Sequence, residues 1–186
     1  ESSMRAQAYV LTKSGSPLVS DTIELGELAP GQVVVEVLAC GLCHTDLAFA
    51  DGSVAPRHAL PLVLGHEVVG KIVSAGESAA AAALVGKNVL VPAVMSCGDC
   101  AFCRAGRGNA CPKQTMPGND ANGGFANHMV APAHALVSLE GLPATVKLDT
   151  LSVVADAVST AYQAIRRSGL QRGDVAFVVG AGGVGG

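Results

Sequence analysis

The sequence has no tryptophan, and two tyrosines and four phenylalanines bring aromatics to only 3% of 186 residues. Large rings are scarce, so any core here must be built from aliphatic side chains. Charge is thin too. Asp, Glu, Lys and Arg together make 15%, against about 25% in ordinary soluble domains. A formal net charge of -3 leaves no basic footprint, which argues against nucleic acid or an anionic membrane surface as partner. Long hydrophobic runs are also missing. The most apolar stretches, QVVVEVLACGL and DVAFVVGAGG, stop at strand length and fall far short of a bilayer span. Nothing at the amino end reads as a secretory leader, so a cytoplasmic location is expected. Residues 1–3, ahead of Met4, are set aside as an appended remnant.

The chain is long enough for one generous domain or one and a half. From Met4 to about Leu139, short β-rich runs alternate with Gly and Pro punctuation. AQAYVL, GQVVVEVLAC, EVVGKIVSAG, KNVLVPAV, FANHMVAPA and ALVSL are the strand candidates, and so many short strands predict a barrel-like or sandwich-like β domain. The spacing then turns helical over DTLSVVADAVSTAYQAIRRSG. Asp149 or Thr150 is the expected N-cap and Gly169 the expected C-cap. GDVAFVVGAGGVGG predicts a buried parallel strand entering a glycine-rich turn. A lone parallel strand needs neighbours, so the chain is expected to be part of something longer. The run Ala79–Ala83 predicts a loop or one helical turn.

Four of the six cysteines fall in CGDCAFCRAGRGNAC: Cys97, Cys100, Cys103 and Cys111, spaced C-x2-C-x2-C-x7-C. Short steps of this kind let neighbouring sulfurs converge on one ion, and a closed four-thiolate zinc site is the favoured reading. An iron–sulfur cluster and a disulfide cluster are the alternatives. Such a zinc site has no vacant position, so it would hold a loop in shape. Cys43, in ACGLCHTDLAFADG, and His66, in GHEVVG, form a looser pair. With a later carboxylate or thiol they would fit a catalytic zinc, which takes three mixed ligands and keeps one position open. Gly180, Gly182 and Gly185, with Gly183 between, make a G-x-G-x-x-G turn behind the expected strand. That context suits a dinucleotide pyrophosphate at a helix N-terminus.

CGLCHTD, GHEVVG, the four-cysteine lobe, DAVSTAYQAI and VVGAGGVGG occur in this order. Together they resemble zinc-dependent medium-chain alcohol dehydrogenases. The resemblance implies a mixed α/β fold: a GroES-like β-barrel catalytic domain over 4–150, with a zinc lobe at about 95–115, then the start of a doubly wound Rossmann domain over 151–186. It implies two zinc ions per chain, one catalytic and one structural, and NAD as cofactor. Cys43, His66 and Asp156 would ligate the catalytic zinc, with Glu67 an alternate ligand; the bland reading of Asp156 is a helix N-terminal carboxylate. Asp46 would orient the His66 imidazole. Thr45 would take the substrate proton, His44 would approach the cofactor pyrophosphate and Thr160 the nicotinamide. Many relatives carry a relay histidine where this chain has Ala48, so a water or another group would have to serve.

The implied chemistry is reversible oxidation of a secondary alcohol to a ketone, with zinc as Lewis acid. MPGNDANGGFANHMVAPAHAL further resembles 6-hydroxycyclohex-1-ene-1-carbonyl-CoA dehydrogenases, implying a cyclic CoA thioester substrate in anaerobic aromatic degradation. A general secondary-alcohol or polyol dehydrogenase is the alternative. A zinc-binding scaffold without turnover is a rival from another class. A homotetramer is expected from the family resemblance alone.

Overall fold

A computed structural model describes residues 4–186. Its strands lie in two antiparallel sheets. In the smaller sheet, β1 (Arg5–Leu11) lies between β2 (Val19–Glu24) and β4 (Leu62–Val63). The larger has the order β7-β3-β5-β6-β8, with β3 at Gln32–Gly41, β5 at Glu67–Ala75, β6 at Asn88–Val91, β7 at His128–Pro132 and β8 at Val137–Ser138.

The aliphatic strands do what the shortage of rings demands. On one face of the large sheet, Val33, Val35, Val68, Ile72, Val89, Val91 and Met129 form a continuous core. Each such side chain contributes roughly 1.5–3 kcal/mol when fully buried. On the other face, Val69 and Leu90 pack against Ala155. β5 is therefore covered on both sides, and EVVG at its start is wholly buried. A second core forms where Phe49 of helix α1 (His44–Asp51) meets Leu11, Leu62 and Leu64.

The register of β3 on β5 positions the site. Gly41 pairs with Glu67 at the end of an antiparallel ladder. The chain leaving β3 thus reaches Cys43 beside the point where His66 enters β5. Bulges at Val34/Val35 and Val37/Ala39 bend β3 over this stretch.

Several expectations change in detail. β2 and β4 lie outside the strand candidates: β2 is a largely exposed edge strand without an apolar run, and β4 has only two residues. The KNVLVPAV strand stops at Val91, ahead of Pro92, which has no N–H to donate. The alanine run forms one helical turn, α2 (Ala79–Ala82), within what was expected, capped by the Ser78 hydroxyl.

The single helix expected from Asp149 to Gly169 is instead two pieces. A 3-10 segment, Leu148–Ala155, lies against the large sheet, and α4 (Ala157–Ser168) follows it. Between them Asp156 has φ -138° and ψ -72°, outside helical geometry. The break lets one segment lie along the sheet while the next turns away from it. Gly169 ends α4 in the left-handed conformation as expected. The strand expected over VAFVV does not form. Val175, Phe177 and Val179 are almost fully exposed, and no described strand runs beside them to supply a ladder. No helix among the described residues is long and apolar enough to cross a membrane.

Candidate metal centres

Cys97, Cys100, Cys103 and Cys111 converge in a lobe built on a short helix, α3 (Ala101–Arg104), and a 3-10 turn at Gly108–Ala110. Sulfur–sulfur distances are 3.4 Å for Cys100–Cys103, 3.5 Å for Cys97–Cys111, 3.8 Å for Cys100–Cys111 and 3.9 Å for Cys97–Cys103. A tetrahedral ion with metal–sulfur bonds of about 2.3 Å would set its ligands about 3.8 Å apart. The donor set fits zinc. All six cysteines are free thiols, and the disulfide alternative has no support in this geometry. Backbone N–H groups of Asp99 and Cys100 pull the Cys97 thiol down to about 6. Cys111 is up at about 11: a hydrogen bond from the Cys97 backbone draws it down, but burial and the facing thiols of Cys97 and Cys103 outweigh that. His134 secures the lobe's root, its Nε2 lying 2.9 Å from the Ser96 carbonyl.

The second cluster joins three distant parts of the chain, Cys43, His66 and Asp156. Cys43 sits at the N-cap of α1, and His66 is 1% exposed at the mouth of β5. Asp156 stands at the break before α4. His66 Nε2 is 3.4 Å from Asp156 Oδ2, and Cys43 Sγ is 3.8 Å from the same oxygen. Tetrahedral zinc would separate such nitrogen–oxygen and sulfur–oxygen pairs by about 3.4 and 3.6 Å. Neither ring nitrogen of buried His66 has a hydrogen-bond partner. An orphaned buried donor facing a thiol and a carboxylate is what a metal ligand looks like before the ion enters. Three donors are the number that a catalytic zinc would take from protein, with a fourth position left for water or substrate.

Asp46 organises this corner. Its Oδ2 accepts the Cys43 N–H at 2.9 Å and its Oδ1 the Gly65 N–H at 3.0 Å. Oδ1 also lies 3.3 Å from His66 Nδ1. That contact falls short of an aligned hydrogen bond. Burial draws the imidazole down, but Asp46 outweighs it and leaves His66 up at about 9. Gly65 has φ +96°, and a Cβ there would meet the Phe125 ring and the Cys40 sulfur. Only glycine fits. Glu67, the next residue after His66, is buried, its carboxyl raised by burial, and its Oε1 accepts the Ala157 N–H at 3.2 Å.

The remaining candidates are placed unevenly. Thr45 is half-buried and His44 exposed in the first turn of α1. Thr160 is on α4, where its hydroxyl donates to Asp156 Oδ1 at 2.7 Å. Asp156, Ser159 and Thr160 border a cleft of about 750 Å³ whose far wall includes Ser96, Asn109 and Gln114 of the lobe. Gly180, Gly182, Gly183 and Gly185 are exposed. Their turn closes on itself, Gly186 N–H to Gly182 O at 2.9 Å, and no described hydrogen bond ties it to the metal clusters. Sequence reasoning missed Gly65 and the Glu67–Ala157 link. A glycine ahead of the GHE histidine was the available signal for the first; the second had none.

Residues 29–141 match the alcohol dehydrogenase GroES-like domain. The chain belongs to the zinc-type medium-chain alcohol dehydrogenase family. It is 34% identical over 182 residues to an alcohol dehydrogenase of Geobacillus stearothermophilus, covering 96% of this chain and 52% of that protein. It is 31% identical over 183 residues to an NAD-dependent alcohol dehydrogenase of Sulfolobus acidocaldarius, covering 95% of this chain and 52% of the relative. The fold superimposes with a TM-score of 0.84 on the cobalt- and zinc-bound thermostable alcohol dehydrogenase of Pyrobaculum aerophilum, at 25% identity, covering 98% of this chain and 54% of that one. The chain spans about half the length of the curated relatives it matches. Within this alcohol dehydrogenase domain, the MPGND stretch has a local task. Asn119 accepts the Arg57 N–H through Oδ1 at 2.9 Å and the His58 N–H through its carbonyl at 2.7 Å, while Asp120 accepts the Met116 N–H at 2.9 Å.

Proposed function

We propose that the protein of which this chain is part is an NAD(P)-linked, zinc-dependent alcohol dehydrogenase, with Cys43, His66 and Asp156 holding the catalytic ion and Cys97, Cys100, Cys103 and Cys111 a structural one. The observation that carries the reading is the three-donor cluster with a buried, unpartnered His66. When bound, zinc supplies Lewis acidity toward an alcohol oxygen, and a nicotinamide supplies the hydride acceptor. Asp46 holds both the Cys43 backbone and the His66 ring in place. Thr45, one helical position beyond His44 and two beyond Cys43, is the group to receive the substrate hydroxyl proton. With Ala48 in place of a relay histidine, that proton would leave through water or another group. Glu67, whose Oε1 accepts the Ala157 N–H, is the proposed alternate donor. His44 and Thr160, with Gly180, Gly182, Gly183 and Gly185, are the proposed nicotinamide-dinucleotide contacts, and residues 151–186 the opening of its domain. NAD rather than NADP and a homotetramer rest on family resemblance, and a cytoplasmic location is proposed with them.

The cyclic hydroxyacyl-CoA substrate is a narrower reading, resting on resemblance in the MPGND stretch. Those residues fasten the 57–58 loop, which accounts for them without a CoA ligand, so the broader secondary-alcohol reading is preferred. The test is turnover by the whole protein with 2-butanol, sorbitol and the cyclic hydroxyacyl-CoA, alongside elemental analysis. NADH formed with bound zinc at both clusters supports the enzyme. One zinc per chain and no turnover would leave a scaffold protein.

A further inference from the structure

We infer that Thr160 is a positioning residue for the Cys43–His66–Asp156 cluster: its hydroxyl occupies one oxygen of Asp156, so that only the other is offered to a metal ion. The inference rests on reading that cluster as a metal centre.

Asp156 stands at the N-cap of α4, where a carboxylate ordinarily accepts an N–H of the first helical turn. Its side chain makes no such bond. The Ala157 N–H, a first-turn donor that an N-cap side chain does not ordinarily reach, is accepted by Glu67 Oε1, 3.2 Å away on β5. The Asp156 side chain, uncommitted to capping, turns to the cluster. Once turned, a carboxylate has two equivalent oxygens and can chelate an ion with both or swing between them. Here the equivalence is broken. Oδ1 accepts the Thr160 hydroxyl at 2.7 Å. Oδ2 faces His66 Nε2 at 3.4 Å and Cys43 Sγ at 3.8 Å.

The placement follows from helix geometry. Thr160 is four residues after Asp156, one turn along the same face, and its branched Cβ limits the hydroxyl to few rotamers. Ser159 cannot substitute, because its hydroxyl turns back to the carbonyls of Ala155 and Asp156 at 3.4 and 3.1 Å. With one oxygen of Asp156 on offer, the cluster would present three single-atom donors to an ion, the number a catalytic zinc takes from protein. With both on offer it would present four.

The test titrates cobalt(II) into the metal-stripped protein carrying T160V, T160S or T160A. Partners of this kind change metal affinity by on the order of 10–100-fold, and T160V is expected to weaken the three-donor site by that factor and to shift its visible d–d bands. T160S, which keeps the hydroxyl, is expected to bind as the unsubstituted protein does. Occupancy of the four-cysteine lobe and the circular dichroism spectrum should not move in T160V; if T160V misfolds, T160A is judged by the same readouts. Unchanged affinity and bands in T160V or T160A, while Cys43→Ser loses the ion, would overturn the role of Thr160 and leave the metal centre standing. Cobalt uptake only at the lobe in the unsubstituted protein would overturn both.

Discussion

Asp46 Oδ1 accepts the Gly65 N–H at 3.0 Å, so a buried carboxylate on α1 fixes the backbone immediately before His66. The other oxygen of the same group fixes Cys43. One side chain therefore sets the separation of two proposed metal ligands that lie far apart in sequence. Asp46→Asn leaves an amide that can accept through only one atom, orphaning one of the two N–H groups. A buried donor left unpaired costs about 1–3 kcal/mol, so a loss of that size is expected in urea unfolding. Weaker zinc retention at the Cys43 cluster, with the lobe unaffected, should accompany it.

Cys43→Ser and His66→Ala each remove a proposed ligand without touching the main cores. Both are expected to lose the ion at this cluster and all turnover, yet to keep a native circular dichroism spectrum. A variant that fails to fold would mean this centre is structural.

The lobe should behave in the opposite way. It has little apolar core of its own, and of its four cysteines only Cys111 is buried. Its shape would depend on the metal, whose binding free energy becomes folding free energy. Cys100→Ser is expected to lower the thermal midpoint and to release zinc from the lobe alone. Calorimetry with metal analysis would detect both, and an unchanged midpoint would count against a closed metal site.

Proton competition gives the lobe a pH dependence. Cys97 sits at about 6, below its ordinary 9.0, so its ionisation favours the folded lobe fully above pH 9 and loses that contribution as pH falls through 6. Cys111 is raised to about 11, so near neutrality an incoming ion must expel its proton. Zinc affinity of the lobe should therefore rise with pH across this range, with protons released on binding. Chelator competition at several pH values, and binding heats in buffers of different ionisation enthalpy, would measure the two effects. Affinity independent of pH would contradict thiolate ligation.

Gly65→Ala tests the corner sterically. The residue is at φ +96°, and its Cβ would press on the Phe125 ring and Cys40. Strain of this type costs on the order of 1–3 kcal/mol. A matching loss of stability is expected, together with impaired metal binding at the neighbouring His66.

The four-cysteine lobe was readable because its ligands fall within fifteen residues, where spacing alone limits how the sulfurs can meet. The central strands were readable for a similar reason: β3 and β5 are apolar enough to declare themselves. β2 carries no such pattern, being an exposed edge strand tied to β1, in part by a Gln7–Thr22 side-chain hydrogen bond. The split at Asp156 was hidden because Leu148–Ser168 has helical spacing throughout. The conformation changes there because the first half must lie on the Val69–Leu90 face of the sheet. The strand expected near Val175 had the right residues, but a strand exists only in a ladder, and none is beside it.

Donor identity was thus written locally: which thiols, imidazole and carboxylates are available, and which glycines permit sharp turns, follow from residue type and short-range spacing. The meeting of Cys43, His66 and Asp156 at one point was not. It depends on Gly41 pairing with Glu67 across two antiparallel strands, and on the Leu148–Ala155 segment docking against the far face of that sheet. Those contacts link residues far apart along the chain, and burial of the aliphatic core on both faces of β5 is what selects them.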